Sequence, residues 1–273
     1  MDVGPLRDLL TVALGLATGV LSGLFGVGGG VISQPGMGVL GLQPLMIIGT
    51  ALPVIIPGAA SGSVRYVREG LIRWPAVVAT VPIGLVAAVV GSVTAEHVPG
   101  DGHLLQLVTA LLLGLSSYRM GQAPVPLPPD EPLAETDAPE APGRPPEGHP
   151  SAARYAAIGG VAGGLSGLLG IGGGVIMVPA FVQLARMEVK AAIATSLVCV
   201  GAFAVPGTVT HALLGHIDGR VAVALIVGVV PGARLGAALA IRATDRRLRL
   251  TVATFLGATA VLYAAAELTA LLT

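Results

Sequence analysis

One eleven-residue segment occurs twice in this chain. Ser22-Gly-Leu-Phe-Gly-Val-Gly-Gly-Gly-Val-Ile32 returns 144 residues later as Ser166-Gly-Leu-Leu-Gly-Ile-Gly-Gly-Gly-Val-Ile176, and Pro35 matches Pro179 at the same offset. At an offset of 145, Thr50, Leu52, Gly62, Gly70 and Ile72 match Thr195, Leu197, Gly207, Gly215 and Ile217. Near-identity over that length, at a common position in both halves, is the mark of an internal duplication. Any fold for this chain has to accommodate two copies of one unit and a meeting place between them.

The medium in which those copies fold follows from composition. Hydrophobic residues make up 53% of the chain and charged residues 11%, against roughly 25% charged in a soluble domain. The apolar runs 51–64, 74–95, 104–118, 221–240 and 251–273 approach or reach the ~20 residues that cross a bilayer. Forty glycines fit the same reading, since glycine is commoner in membrane helices than in soluble ones. The expected fold is an all-α polytopic membrane protein whose partner is the lipid bilayer. A net charge of zero leaves no basic face for nucleic acid. A single cysteine, Cys199, excludes an intrachain disulfide and a CxxC metal site. Residues 1–10 lead into an apolar helix without a cleavage pattern, so no removable signal peptide is expected.

Residues 122–151 break the apolar pattern with ten prolines and six acids. Such a composition predicts a disordered linker, here on the cytoplasmic side, between a first membrane repeat at 1–121 and a second at 152–273. Each repeat reads as a glycine-broken segment followed by three plain helices, about eight hydrophobic segments in all. The expected bounds are 9–42, 44–64, 74–95 and 104–120, then 153–185, 189–212, 220–241 and 248–272. If each broken segment crosses once, the basic residues divide eight to six between the faces. If each dips in and returns, they divide twelve to two and the repeats become inverted; the enrichment of arginine and lysine in cytoplasmic loops favours this second arrangement. Against it, residues 9–25 are almost long enough to cross alone.

The glycine clusters Gly26-x-Gly28-Gly29-Gly30 and Gly170-x-Gly172-Gly173-Gly174 carry the chemistry. A nucleotide loop needs a following Lys-Ser/Thr or a strand–turn–helix context, and neither is present. Glycines at helical spacing upstream (Gly19, Gly23, Gly159, Gly163, Gly167) suit close helix packing. A glycine triplet followed by proline instead unwinds a helix. The helix that restarts beyond it presents free N–H groups and a positive dipole end, which together attract an anion.

These paired Ser-Gly-Leu-x-Gly-x-Gly-Gly-Gly-Val-Ile-x2-Pro segments resemble the signature of the TauE/SafE sulfite exporter family. The likeness extends over nearly the whole chain outside the linker and includes Thr195-Ser-Leu197, although the first half has Thr50-Ala-Leu52 there. The resemblance implies a secondary transporter of sulfite, organosulfonates or related anions in a bacterial inner membrane. Alternating access around the two glycine breaks would move the small anionic substrate.

The candidate substrate-binding residues are Gly28, Gly29, Gly30, Gln34, Thr50, Gly172, Gly173, Gly174, Gln183, Thr195, Ser196 and Arg234. Arg234 lies within an apolar helix, where an ionisable side chain points to function, and its guanidinium suits sulfur oxyanions. The alternative for Arg234 is snorkelling to the membrane surface, and for the hydroxyls bonding back to their own helices. His211, His216 and Asp218 match no standard zinc spacing and are expected at a solvated helix end, so no metal and no cofactor is assigned. No Asp or Glu is expected inside a helix core. A homo-oligomer is compatible with the sequence. The competing function classes are an intramembrane enzyme, which would need a nucleophile–base pair at depth, and a membrane assembly protein.

Overall fold

The computed structural model describes residues 4–95, 97–98, 103–122 and 151–272. The expected linker, apart from its end residues, lies outside the described residues. Among the described residues the chain forms ten α-helices and no strand: α1 (Pro5–Phe25), α2 (Gly30–Val39), α3 (Pro44–Arg68), α4 (Trp74–Ala95), α5 (His103–Gln122), α6 (Ala152–Leu169), α7 (Gly174–Gln183), α8 (Val189–Leu213), α9 (Gly219–Arg242) and α10 (Asp245–Leu272). Six of them (α1, α3, α4, α8, α9 and α10) are long and apolar enough to cross a membrane. Val78, Val86 and Val90 of α4 and Val223, Val227 and Leu239 of α9 are exposed; a belt of this kind belongs against lipid, where burial of apolar surface needs no protein partner.

Ten helices stand where eight segments were expected, because each glycine-rich segment accounts for two. Gly26 closes α1 in the left-handed region, its N–H donating to the Ser22 carbonyl at 2.8 Å, and Gly29, also left-handed, stands at the N-cap of α2. Gly170 and Gly173 do the same between α6 and α7. The chain then doubles back. A methyl on Gly36 of α2 would touch Leu14 of α1, and the Arg7 guanidinium donates to the Leu40 carbonyl at 3.2 Å. In the second half, Phe181 of α7 lies edge-on to Tyr155 of α6, with ring centroids 6.2 Å apart. Both short helices therefore end beside the start of the long helix that precedes them.

The long helices pack through glycine. A Cβ on Gly15, Gly19 or Gly23 of α1 would collide with the carbonyl oxygens of Leu225, Val229 or Ala233 of α9. A Cβ on Gly159, Gly163 or Gly167 of α6 would collide with those of Thr80, Gly84 or Ala88 of α4. Both pairs run parallel, and each glycine ladder lets two backbones approach within dispersion range. In contrast α3 and α8 run antiparallel: Gly62 lies against Leu197, Gly201 against Ala59, and Gly207 against Leu52. So do α5 and α10, where Ser117 donates to the Ala253 carbonyl at 2.7 Å and Gly114 faces Ala260.

Two faces result. The N-terminal face carries the starts of α1, α3 and α9, with Arg220 paired to Asp8 at 2.7 Å. The linker face carries the end of α5, the starts of α4, α6, α8 and α10, and the ends of α3 and α9. One expectation needs correcting. His211 is fully buried rather than solvated, because the α8–α9 turn folds His216 against Gly49 of α3 and brings the two imidazole Nδ1 atoms to 3.3 Å.

Candidate functional site at the crossing of the glycine turns

The turn between α1 and α2 meets the turn between α6 and α7 near the middle of α3 and α8. A Cβ on Gly30 would lie 2.6 Å from the Gly170 carbonyl oxygen, and one on Gly174 would strike that of Gly26. Gly28 and Gly172 face each other, and a Cβ on either would be about 3.5 Å from the other's Cα (3.6 and 3.5 Å). A side chain at Gly30 or Gly174 would force the turns apart, whereas one at Gly28 or Gly172 would strike Val200 Cγ1 and carry a strained left-handed backbone (φ +83° and +84°). Val27 and Ile171 are buried beside them, while Val200 of α8 and Ile55 of α3 close over Gly28 and Gly172.

Polar groups hold the crossing together. Gln34 of α2 donates from Nε2 to the Leu169 carbonyl at 2.7 Å, capping α6 of the opposite half. Tyr263 of α10 donates either to Gln34 Oε1 at 3.1 Å or to the Val31 carbonyl at 3.2 Å. Ser196 of α8 donates to the Gly26 carbonyl at 2.9 Å, and Tyr66 of α3 to the Gly23 carbonyl at 2.6 Å. Through Gln34 and Ser196 each half thus satisfies a carbonyl left over at the end of the other half's first helix, while Tyr66 does the same within its own half. The hydroxyls of Thr18 and Ser166, one or two turns before the two crossings, are buried with no hydrogen-bond partner. The first helical N–H groups of α2 with acceptors belong to Ile32 and Ser33, both directed at Gly29, which leaves the amides of Gly30 and Val31 as donors. At the start of α7, Ile176 and Met177 bond Gly173 in the same way.

Of the residues named from sequence, Gly28, Gly30, Gln34, Gly172, Gly174 and Ser196 come together here. Gly29 and Gly173 flank them, Gly29 packed on Thr18 and Ser22 and Gly173 on the Ala162 backbone. Thr50 and Thr195 do not join them. Thr50 accepts from the Asp218 N–H at 3.0 Å and Thr195 from the Arg73 N–H at 3.1 Å, each tying a helix–helix turn to the bundle. Gln183 lies on the linker face, donating to the Arg119 carbonyl at 2.5 Å. Sequence reasoning missed Tyr66 and Tyr263, whose partners lie 43 and up to 232 residues away.

Arg234 stands apart from the crossing, in a cavity of about 410 Å³ lined by Ser61, Val64, Arg65, Arg68, Glu69 and Arg234. The cavity lies between the end of α3 and the last turns of α9. Ser61 donates to the Val230 carbonyl at 2.8 Å, and one turn further along the parallel pair come Arg65 and Arg234. Asp218, read beside the histidines, accepts from the Arg220 and Val221 N–H groups, both at 3.1 Å, as the N-cap of α9.

Comparison with known proteins fits this geometry. The profile of the family described as "Sulfite exporter TauE/SafE" matches residues 11–263. The chain is 29% identical over 240 residues to a protein named "Probable membrane transporter protein" from Xylella fastidiosa (strain 9a5c), covering 86% of this chain and 85% of that one. It is also 29% identical over 254 residues to "Probable membrane transporter protein YunE" from Bacillus subtilis (strain 168), covering 85% and 88%. Over 261 residues it is 31% identical to "Probable membrane transporter protein MamO" from Paramagnetospirillum magneticum, covering 85% of this chain and 40% of that protein. No solved structure matches.

Proposed function

Because the chain belongs to the sulfite exporter TauE/SafE family of multi-pass membrane transporters, we propose that it moves sulfite or organosulfonate anions across a bacterial inner membrane. Its family and relatives mark it as a transporter and not an enzyme. In this reading the two halves are inverted repeats, with the linker and the linker face in the cytoplasm. The antiparallel packing of equivalent helices, α3 on α8 and α5 on α10, supports an axis lying in the membrane plane. Charge supports the orientation, since Arg7 and Arg220 are the basic residues of the N-terminal face. Both are engaged there, with Leu40 and Asp8.

The observation that carries the proposal is the crossing, where the amides of Gly30 and Val31 and the unpartnered Thr18 and Ser166 hydroxyls stand near the meeting of two helix starts. Neutral donors and positive dipole ends recognise an anion without a buried counter-charge. Alternating access would part Val200 and Ile55 from Gly28 and Gly172, opening the site to one face at a time. Gly28–Gly30, Gly172–Gly174, Gln34 and Ser196 form the site in this proposal, and Arg234 meets the anion on the linker side. Thr50, Thr195 and Gln183 act by holding the turns and helix ends that move. A homo-oligomer is compatible with this mechanism and is not needed by it.

Uptake of radiolabelled sulfite into proteoliposomes tests the reading. The wild type should accumulate label, and a Gly29→Leu/Gly173→Leu variant that still elutes as a folded protein should not. Failure of the wild type to move either sulfite or organosulfonates would reject the substrate class. Equal transport by both forms would reject the crossing as the site.

A further inference from the structure

We infer that the cavity between α3 and α9 is an anion-binding vestibule on the linker face, which takes a sulfur or phosphorus oxyanion through Arg65, Arg68 and Arg234. The inference rests on the transport reading above for its role but not for its chemistry. Ser61, Val64, Arg65, Arg68 and Glu69 fall at i, i+3, i+4, i+7 and i+8 of α3, a spacing that brings them onto one stripe of the helix, and all five line the cavity with Arg234 of α9. Tyr66, on the opposite side of the same turn, is buried and bonded to Gly23, which fixes how α3 is rotated.

Five of the six lining residues are exposed, Ser61 alone being buried, and two features gather these surface groups into one receptacle. Because α3 and α9 run parallel, with Gly62 against Ala233 and Ser61 bonded to Val230, Arg65 and Arg234 stand at about the same level. There α3 ends within a turn, at Arg68, while α9 continues for two turns to Arg242. The cavity fills the notch that this mismatch leaves. In addition, among the described residues none of the three guanidiniums has a hydrogen-bond or ion-pair partner, although Glu69 lines the same cavity. Three guanidiniums and one carboxylate leave a formal charge of +2, matched to a divalent oxyanion. The planar fork of each guanidinium fits two oxygens of such a group at once. A volume of about 410 Å³ admits a small oxyanion together with several waters, each of which occupies ~30 Å³.

The same chemistry would hold a free anion or the phosphate of an anionic lipid, and equilibrium binding separates them. The full chain is purified into nanodiscs of phosphatidylcholine, and binding of radiolabelled sulfite is measured without any gradient. Wild type should bind saturably. Arg234→Gln and the double variant Arg65→Gln/Arg68→Gln should each weaken binding about 10- to 100-fold, the loss expected for removing charge-assisted hydrogen bonds. Sulfite should also protect Arg65, Arg68 and Arg234, but not Arg154 or Arg186, from phenylglyoxal in the wild-type protein, a readout that needs no variant. Unchanged binding in the variants, or equal modification with and without sulfite, would overturn the inference. Loss of sulfite binding in phosphatidylglycerol nanodiscs would overturn it in favour of a lipid site. Transport plays no part in these measurements, so a failure of the transport proposal leaves the vestibule standing, and transport with unaltered variants removes only the vestibule.

Discussion

The vestibule has a counterpart at the other end of the molecule, and the two are chemically unlike. At an offset of 145, Ser61, Val64, Arg65, Arg68 and Glu69 of α3 correspond to Pro206, Val209, Thr210, Leu213 and Leu214 of α8, and Arg234 of α9 corresponds to Val89 of α4. Three guanidiniums on one face are thus answered by threonine, leucine and valine on the other, with Val209 and Leu213 exposed there. The glycine ladders beneath them have not diverged. Gly15, Gly19 and Gly23 meet Leu225, Val229 and Ala233, and their counterparts Gly159, Gly163 and Gly167 meet Thr80, Gly84 and Ala88 at matching positions. Backbone contact tolerates no change of volume, whereas a side chain at a helix end is free to change. A duplicated protein keeps its symmetry where the packing is closest and acquires direction at its ends.

The largest expected effect tests the symmetric part. Gly23→Ala and Gly167→Ala each place a methyl group into a facing carbonyl, an overpacking cost of about 2–3 kcal/mol. Both should lower the melting temperature by ~5–10 °C, and by similar amounts. A thermal unfolding series in detergent in which only one of the pair is destabilised would break the symmetry argued here. Next comes the buried polar link that the repeats do not share: Gln34 corresponds to Val178. Replacing Gln34 by leucine strands the Leu169 carbonyl and takes away one acceptor of Tyr263, at about 1–3 kcal/mol, whereas Val178→Leu should disturb packing alone. Differential scanning fluorimetry of both variants should rank them in that order. For the ends, one substitution made at two corresponding positions sharpens the comparison: Arg234→Gln should reduce sulfite transport at least ~10-fold, while Val89→Gln leaves it within about twofold. Equal effects in a proteoliposome assay would mean that the two ends do the same work. The smallest effect belongs to Ser61→Ala, which loses one hydrogen bond to Val230, about 1 kcal/mol, and should cost ~2–4 °C in melting temperature.

Much of this architecture could be read from the residues, and the rest could not for definite reasons. The repeated segment and the membrane setting follow from local pattern, as does the placing of Gly28–Gly30 and Gly172–Gly174 at the ends of helices. The observed helix bounds 44–68, 74–95, 189–213 and 219–242 lie within four residues of those expected, because proline, glycine and charge punctuate the ends. What local pattern does not hold is which residue lies opposite which. Thr50 and Thr195 share a motif with Ser196, yet their hydroxyls tie turns at opposite faces while Ser196 reaches the crossing, because adjacent helical residues point about 100° apart. The three-arginine cavity needs α3 and α9 side by side, across 169 residues of sequence between Ser61 and Val230. Arg65 and Arg68 fall beyond the expected segment 44–64 and within the observed helix α3. His211 looked solvated because the turn that covers it is a tertiary feature.

The glycine ladders also decide how this protein is made. The partner of α1 is α9, and the partner of α6 is α4, so neither half contains the helix its own first helix packs upon. A ribosome that has delivered the first half has delivered a groove with nothing to fill it, and that groove stays open until the ninth helix arrives about one hundred residues later. The halves are laced through each other by these helix contacts. Residues 1–121 and 152–273 expressed as two separate chains should therefore recover each other in the membrane, and either one expressed alone should be degraded.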